Sequence, residues 1–283
     1  MIGQRELWAR IEHQIRNDKF PRFAIFIGEC GSGKKTLAKK VAKTLNGSSV
    51  ITDTKVDSIR EIIDAAYTIV DTTVYIIPDA DTMSGASANA LLKVTEEPPH
   101  DAYFILTCES LDNLLPTIRS RGVTYMMEPY SYEDKCDYID YQSSKNQRYV
   151  YDEADEEFIL EVASTIGEVE FFLSALDKDA QAINDFRAYV NLVIDNIAEV
   201  SGSNAFKIAD KIAFKNEDNK YDLRLFWKAF RSGCIDKMRG DDPLKYARAV
   251  AITGDSLSQL SIKGLNKQML FDTWLLDIRS EWL

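Results

Sequence analysis

The chain has 283 residues, 45% hydrophobic and 28% charged, with a formal net charge of -11 at pH 7. That apolar fraction suffices for two or three compact units, and no run approaches the roughly 20 apolar residues of a membrane helix. The negative charge excludes a protein that coats nucleic acid by itself, since such affinity comes from Lys and Arg neutralising phosphates. It leaves open a complex that touches DNA through a few helix starts and basic residues.

The first half alternates strand-like apolar runs with helical patterns, which predicts a parallel sheet covered by helices. Phe23–Ile27 reads as the first strand and residues 35–45 as the helix after it. Residues 50–52 form a short strand, and residues 58–70 place Ile59, Ile62, Ile63, Ala66, Ile69 and Val70 at helical spacing. Residues 74–77 are a second buried strand, and residues 86–94 a helix that Glu96-Glu97-Pro98-Pro99 stops, because proline cannot continue the ladder. Residues 103–107 are the next strand, 115–121 a short helix, and 123–127 the closing strand.

After Glu128-Pro129 the patterns are helical. Ser131 and Asp134 stand at capping-box spacing, and helices are expected over residues 131–142, 152–166 and 168–176. The acidic run at 152–157 reads as a solvated helix start. Beyond Asp177-Lys178-Asp179, amphipathic segments fall near 182–200, 205–214, 223–238, 243–260 and 267–283.

Gly28-Glu29-Cys30-Gly31-Ser32-Gly33-Lys34 lies between the first strand and its helix, the setting of a phosphate-binding loop. Gly28, Gly31 and Gly33 let backbone amides turn inward around phosphate oxygens, and Lys34 supplies charge. The candidate nucleotide contacts are these three glycines with Ser32, Lys34, Lys35 and Thr36. Lys35 stands where such loops carry the Ser or Thr that ligates magnesium. The strand at 74–77 is followed by Pro78-Asp79-Ala80-Asp81. Cys30, Cys108, Cys136 and Cys234 form no CxxC pair, so neither a zinc site nor a disulfide framework is expected. Residues 1–10 lack the apolar centre of a signal peptide, and a cytoplasmic location is expected. His13 and His100 are isolated and carry no assigned chemistry.

The run Ile76-Ile77-Pro78-Asp79-Ala80-Asp81-Thr82-Met83, then Ala88-Asn89-Ala90-Leu91-Leu92-Lys93, Glu96-Glu97-Pro98-Pro99, Tyr103-Phe104-Ile105-Leu106-Thr107 and Leu115-Pro116-Thr117-Ile118-Arg119-Ser120-Arg121 resembles the AAA+ clamp-loader subunits of bacterial DNA polymerase III. The likeness is to the delta-prime and gamma/tau types, in a compact form without their zinc module. It implies an α/β AAA+ core with a parallel sheet over residues 1–129, a helical lid over 130–179 and an all-α collar over 180–283. It also implies a hetero-oligomeric ring of about five subunits that places a sliding clamp on primer-template DNA.

Aligned on Ala80-Asp81, the family's metal-binding Asp becomes Pro78 and its water-activating Glu becomes Asp79. With Lys35, both magnesium contacts are lost. Gly167-Glu168-Val169-Glu170 falls where ATP-using members carry a basic residue, and Glu170 would repel the nucleotide. The resemblance therefore implies weakly held ATP or ADP, doubtful magnesium and little or no turnover. It makes Arg121 the finger inserted into a neighbour's ATP site, a role worth about 10³ or more in rate. Thr107 or Cys108 takes the sensor position, and Gly122 stands where the family usually has Cys. Three alternatives remain: a hydrolysing gamma-type motor, another AAA+ replication adaptor, and a stand-alone phosphotransferase.

Overall fold

The structure is a computed structural model that describes residues 2–145, 152–197, 208, 212–213, 221–240 and 242–282. Backbone contacts divide the chain into one unit of Met1–Tyr138 with Thr165–Gly167, and a second of Ile139–Ser164 with Glu168–Leu283.

The first unit is built on five parallel strands: β1 (Phe23–Ile27), β2 (Ser48–Ile51), β3 (Thr73–Ile77), β4 (Ala102–Cys108) and β5 (Val123–Met126). Their order across the sheet is β2-β3-β4-β1-β5. Every residue of β1, β3 and β4 is buried, as the apolar runs require of central parallel strands. The helices are α1 (Arg5–Arg16), α2 (Lys34–Thr44), α3 (Val56–Ala66), α4 (Gly85–Glu96) and α5 (Pro116–Arg119).

Alternation along the strands feeds two cores. Phe23, Ile25, Tyr75, Ile77, Phe104 and Leu106 pack with α3, α4 and α5 on one face. Ala24, Phe26, Val74, Ile76, Ile105 and Tyr125 pack with Leu7 and Ile11 of α1 and Leu37 and Val41 of α2 on the other. Full burial of each such aliphatic or aromatic side chain contributes about 1.5–3 kcal/mol. The sequence patterns missed α1, whose Leu7 and Ile11 sit at i,i+4 among charged residues. Its start is fixed by Gln4, which donates to the Glu128 carbonyl at 2.7 Å and accepts the Glu128 amide at 2.8 Å.

Apart from one short strand pair, the described elements of the second unit are helices. The chain continues through α6 (Tyr132–Lys145), α7 (Glu153–Val162), α8 (Ile166–Lys178), α9 (Ala182–Asn196), α10 (Leu223–Lys237), α11 (Pro243–Gln259) and α12 (Lys267–Trp282). The expected capping box forms: the Ser131 and Asp134 amides donate to each other's side chains at 3.0 and 3.1 Å. The helix expected over 152–166 instead ends at Val162, and a new one starts at Ile166. Of the segment expected to be helical over 205–214, residue 208 is helical, but Ile212–Ala213 (β6) pairs in parallel with Tyr221–Asp222 (β7); the rest lies outside the described residues. Phe226, Phe230, Phe271 and Trp274 form an aromatic core between α10 and α12. The Trp274 indole donates to Thr253 of α11 at 3.0 Å, satisfying a buried polar group.

Candidate functional site

The loop after β1 leaves the sheet where the chain order reverses between β1 and β4, the place at which open parallel sheets bind ligands. Gly31 and Gly33 have φ of 78° and 85°, left-handed values that suit glycine. A Cβ on Gly28 would lie 2.7 Å from Ser32 Oγ and 2.8 Å from Met127 Cβ, so only glycine fits there. Gly33 caps α2 and points the helix start into the loop.

Lys34 is buried, and its ammonium donates to the Gly28 and Glu29 carbonyls at 2.6 and 2.7 Å. Burial lowers its pKa from the usual lysine value; the charge of Glu109, then Cys30 and Asp79, opposes that shift. Ser32 Oγ is buried with no hydrogen-bond partner, while Ser32 O accepts from the Tyr130 hydroxyl at 2.8 Å. An orphaned hydroxyl inside a glycine loop, beside a lysine held by loop carbonyls, fits a phosphate group.

Magnesium fits less well. Lys35 and Thr36 are exposed, and the residue that follows β3 is Pro78. Asp79 has a left-handed φ of 51°, and its amide donates to Thr107 Oγ1 at 3.3 Å. The Thr107 hydroxyl thus joins the ends of β3 and β4. Cys108, also buried, accepts the Gly28 amide through its carbonyl at 3.2 Å, and burial pushes its thiol up to about 12. Among the described residues, no group of three or more His, Cys, Asp or Glu is placed to hold a metal ion.

The structure brings the loop, Asp79 and Thr107 together at the C-terminal ends of β1, β3 and β4. It does not bring Arg121 there. Val123 pairs with Ala24, so Arg121 lies at the other end of the parallel sheet. Gly28 is four residues beyond Ala24, about 13 Å at roughly 3.3 Å per strand residue. Arg121 donates through Nε and Nη2 to Glu96 Oε1 and through Nη1 to the Thr117 carbonyl at 2.7 Å, with 30% of its side chain exposed. A Cβ at Gly122 would meet Ile25 Cδ1 at 2.5 Å, so Ile25 fills the space that a cysteine there would take.

Two contacts on the loop were not foreseen. Thr165 Oγ1 donates to the Cys30 carbonyl at 3.1 Å, and the Gly167 amide donates to the Gly31 carbonyl at 2.9 Å. Gly167 is glycine because a Cβ would lie 2.5 Å from Gly31 Cα. A glycine at the second position of an amphipathic helix was the available signal. Glu109, whose charge bears on Lys34, was also passed over. Glu170, expected to repel nucleotide, accepts from Gln142 at 3.0 Å. Glu168 accepts from Lys228 at 2.7 and 2.8 Å.

The model of the family described as DNA polymerase III, delta subunit, matches residues 49–131. The DNA polymerase III gamma subunit of Buchnera aphidicola subsp. Schizaphis graminum is 30% identical over 170 residues, 49% of this chain and 47% of that protein. The delta-prime subunit of Yersinia pestis is 38% identical over 102 residues, 33% of this chain and 29% of that one. The chain therefore spans about half the length, or less, of these curated relatives. Among solved structures, the DNA polymerase III gamma subunit-related protein of Thermotoga maritima superposes with a TM-score of 0.55 at 16% identity, over 96% of this chain and 99% of that one. The two chains share a fold, which in this one is a five-stranded parallel α/β core followed by a helical C-terminal region.

Proposed function

We propose that this chain, whose residues 49–131 match the family model described as DNA polymerase III, delta subunit, serves as a delta-prime-like member of a clamp-loader ring. It holds ATP or ADP weakly through the loop, hydrolyses it slowly or not at all, and donates Arg121 to the ATP site of a neighbouring subunit. Residues 1–129 act as the nucleotide-binding core, 130–179 as the lid and 180–283 as the collar that meets other subunits. The sliding clamp and primer-template DNA are reached through the assembled complex.

The observation that carries this reading is Pro78 at the end of β3, in the place of a magnesium carboxylate, with exposed Lys35 in the place of the magnesium hydroxyl. Bound nucleotide would supply a phosphate chain, which the loop amides, Ser32 and Lys34 would hold without a metal-directed water. Asp79 stands at the degenerate catalytic position, its backbone tied to Thr107. The position of Arg121 at the far end of the sheet favours action on another subunit over action on its own loop.

A second reading, a hydrolysing gamma-type motor, is favoured by the longer match to a gamma subunit. Titration of the purified chain with ATP and ADP, with and without magnesium, followed by a turnover assay, separates the two. Weak, magnesium-indifferent binding without turnover is expected. Magnesium-dependent turnover abolished by Lys34→Ala would establish the motor.

A further inference from the structure

The acidic charge of this chain is unevenly spread. Its first 45 residues hold 10 Lys and Arg against 4 Asp and Glu, while the remainder holds 24 against 41. The excess concentrates on α2, which has five lysines and no acidic residue. Lys34 turns into the loop, but Lys35, Lys39 and Lys43 are exposed at i, i+4 and i+8, which puts them along one side of the helix. Among the described residues none of the three makes an ion pair. Lys40, beside them, lies 3.8 Å over the ring of half-buried Trp8 on α1. The basic residues of α3, on the opposite face of the sheet, are arranged differently: Arg60 pairs with Asp57, and Lys55, just before the helix, with Asp53, each at 3.6 Å.

We infer that the exposed face of α2, formed by Lys35, Lys39, Lys40 and Lys43 with Trp8 beside them, is a binding surface for the sugar-phosphate backbone of nucleic acid. From Lys35 to Lys43 the helix rises about 12 Å, over which one strand of a duplex presents three or four phosphates at roughly 3.4 Å of axis each. Acidic residues elsewhere do not cancel this face, because the Debye length near 0.15 M salt is about 8 Å. Unpaired lysines already in water lose little on meeting a phosphate and release its condensed counterions. The surface also gives Lys35 a use that magnesium ligation does not. An acidic protein segment is the competing occupant. The regular spacing of the lysines favours a polymer with regularly repeated charge.

The test is fluorescence anisotropy of the full chain with a short labelled DNA duplex across a salt series. Four lysine contacts predict a slope of log affinity against log salt of about -3.6, at 0.9 per contact. Lys39→Glu with Lys43→Glu should lower affinity about tenfold or more and bring the slope to about -2. Lys39→Gln with Lys43→Gln should lose affinity in the same direction. At about 0.15 M salt, Lys55→Glu with Arg60→Glu, an equal change of charge on the opposite face, should alter affinity by less than about twofold. The inference is overturned by absence of binding at about 20 mM salt, by equal losses for the two reversed pairs, by a glutamine pair that binds like wild type, or by polyglutamate displacing the duplex at equal charge.

Discussion

Lys34 and Gly167 show how much of the loop is set by single residues. The Lys34 ammonium is held by two loop carbonyls, but burial holds its pKa below 10.5. Between that lowered value and 10.5 the unfolded chain binds the proton more firmly than the folded chain does. Stability contributed at this position therefore rises with pH through the window. Urea midpoints of wild type and Lys34→Met, compared from neutral pH toward 10.5, should show wild type gaining on the variant; a constant difference would contradict this. Gly167 and Gly254 are both helical, yet alanine should act oppositely at the two. At Gly167 the new Cβ meets Gly31 backbone, which cannot rotate away, so Gly167→Ala should cost about 1–3 kcal/mol. At Gly254 in α11 nothing lies within 4 Å, and Gly254→Ala should stabilise by about 0.5–1 kcal/mol. Denaturant unfolding of the two variants checks the opposite signs.

Among the elements, those legible in the sequence were those whose burial follows a simple period. β1, β3 and β4 are continuous apolar runs, buried on both faces. β2 starts at Ser48, two residues before the apolar pair Val50 and Ile51, and all four of its residues are exposed; this edge strand is placed by pairing with β3 rather than by burial. The break between α7 and α8 has neither glycine nor proline in Ala163-Ser164-Thr165; the one local signal is Thr165 and Glu168 at capping-box spacing, which the helical periodicity overrode. It is held by a local bond and a tertiary ion pair. Glu168, near the start of α8, accepts from Lys228 of α10 and from the Ser164 amide at 2.8 Å, and both charged side chains are mostly buried. Lys228→Met should cost about 3–5 kcal/mol, because it leaves a buried carboxylate without its cation. Adding Glu168→Gln should recover part of that loss. A double-mutant cycle in urea measures the coupling, and additive losses would rule it out.

At the scale of the whole molecule, the loop and Arg121 are legible as motifs, but their separation is not. Only the strand order and the parallel register put the loop at one end of β1 and Arg121 toward the other. Likewise, the hydrogen bonds from Thr165 and Gly167 to the loop join residues more than 130 positions apart, partly through backbone atoms that leave no trace in side-chain pattern. Glu96 and Thr117 hold the Arg121 guanidinium in one orientation, while 30% of its side chain stays exposed, an arrangement compatible with the proposed role. In the proposed role, this chain supplies an arginine to a neighbour's ATP site and little hydrolysis of its own. The most direct measurement is the ATPase rate of a clamp-loader ring assembled from this chain and its companion subunits, comparing wild type with Arg121→Ala and Lys34→Ala. Arg121→Ala should lower turnover at the adjoining site by about 10³ with assembly intact, and Lys34→Ala should leave the ring's turnover nearly unchanged. The reverse pattern, loss with Lys34→Ala and none with Arg121→Ala, would contradict the account.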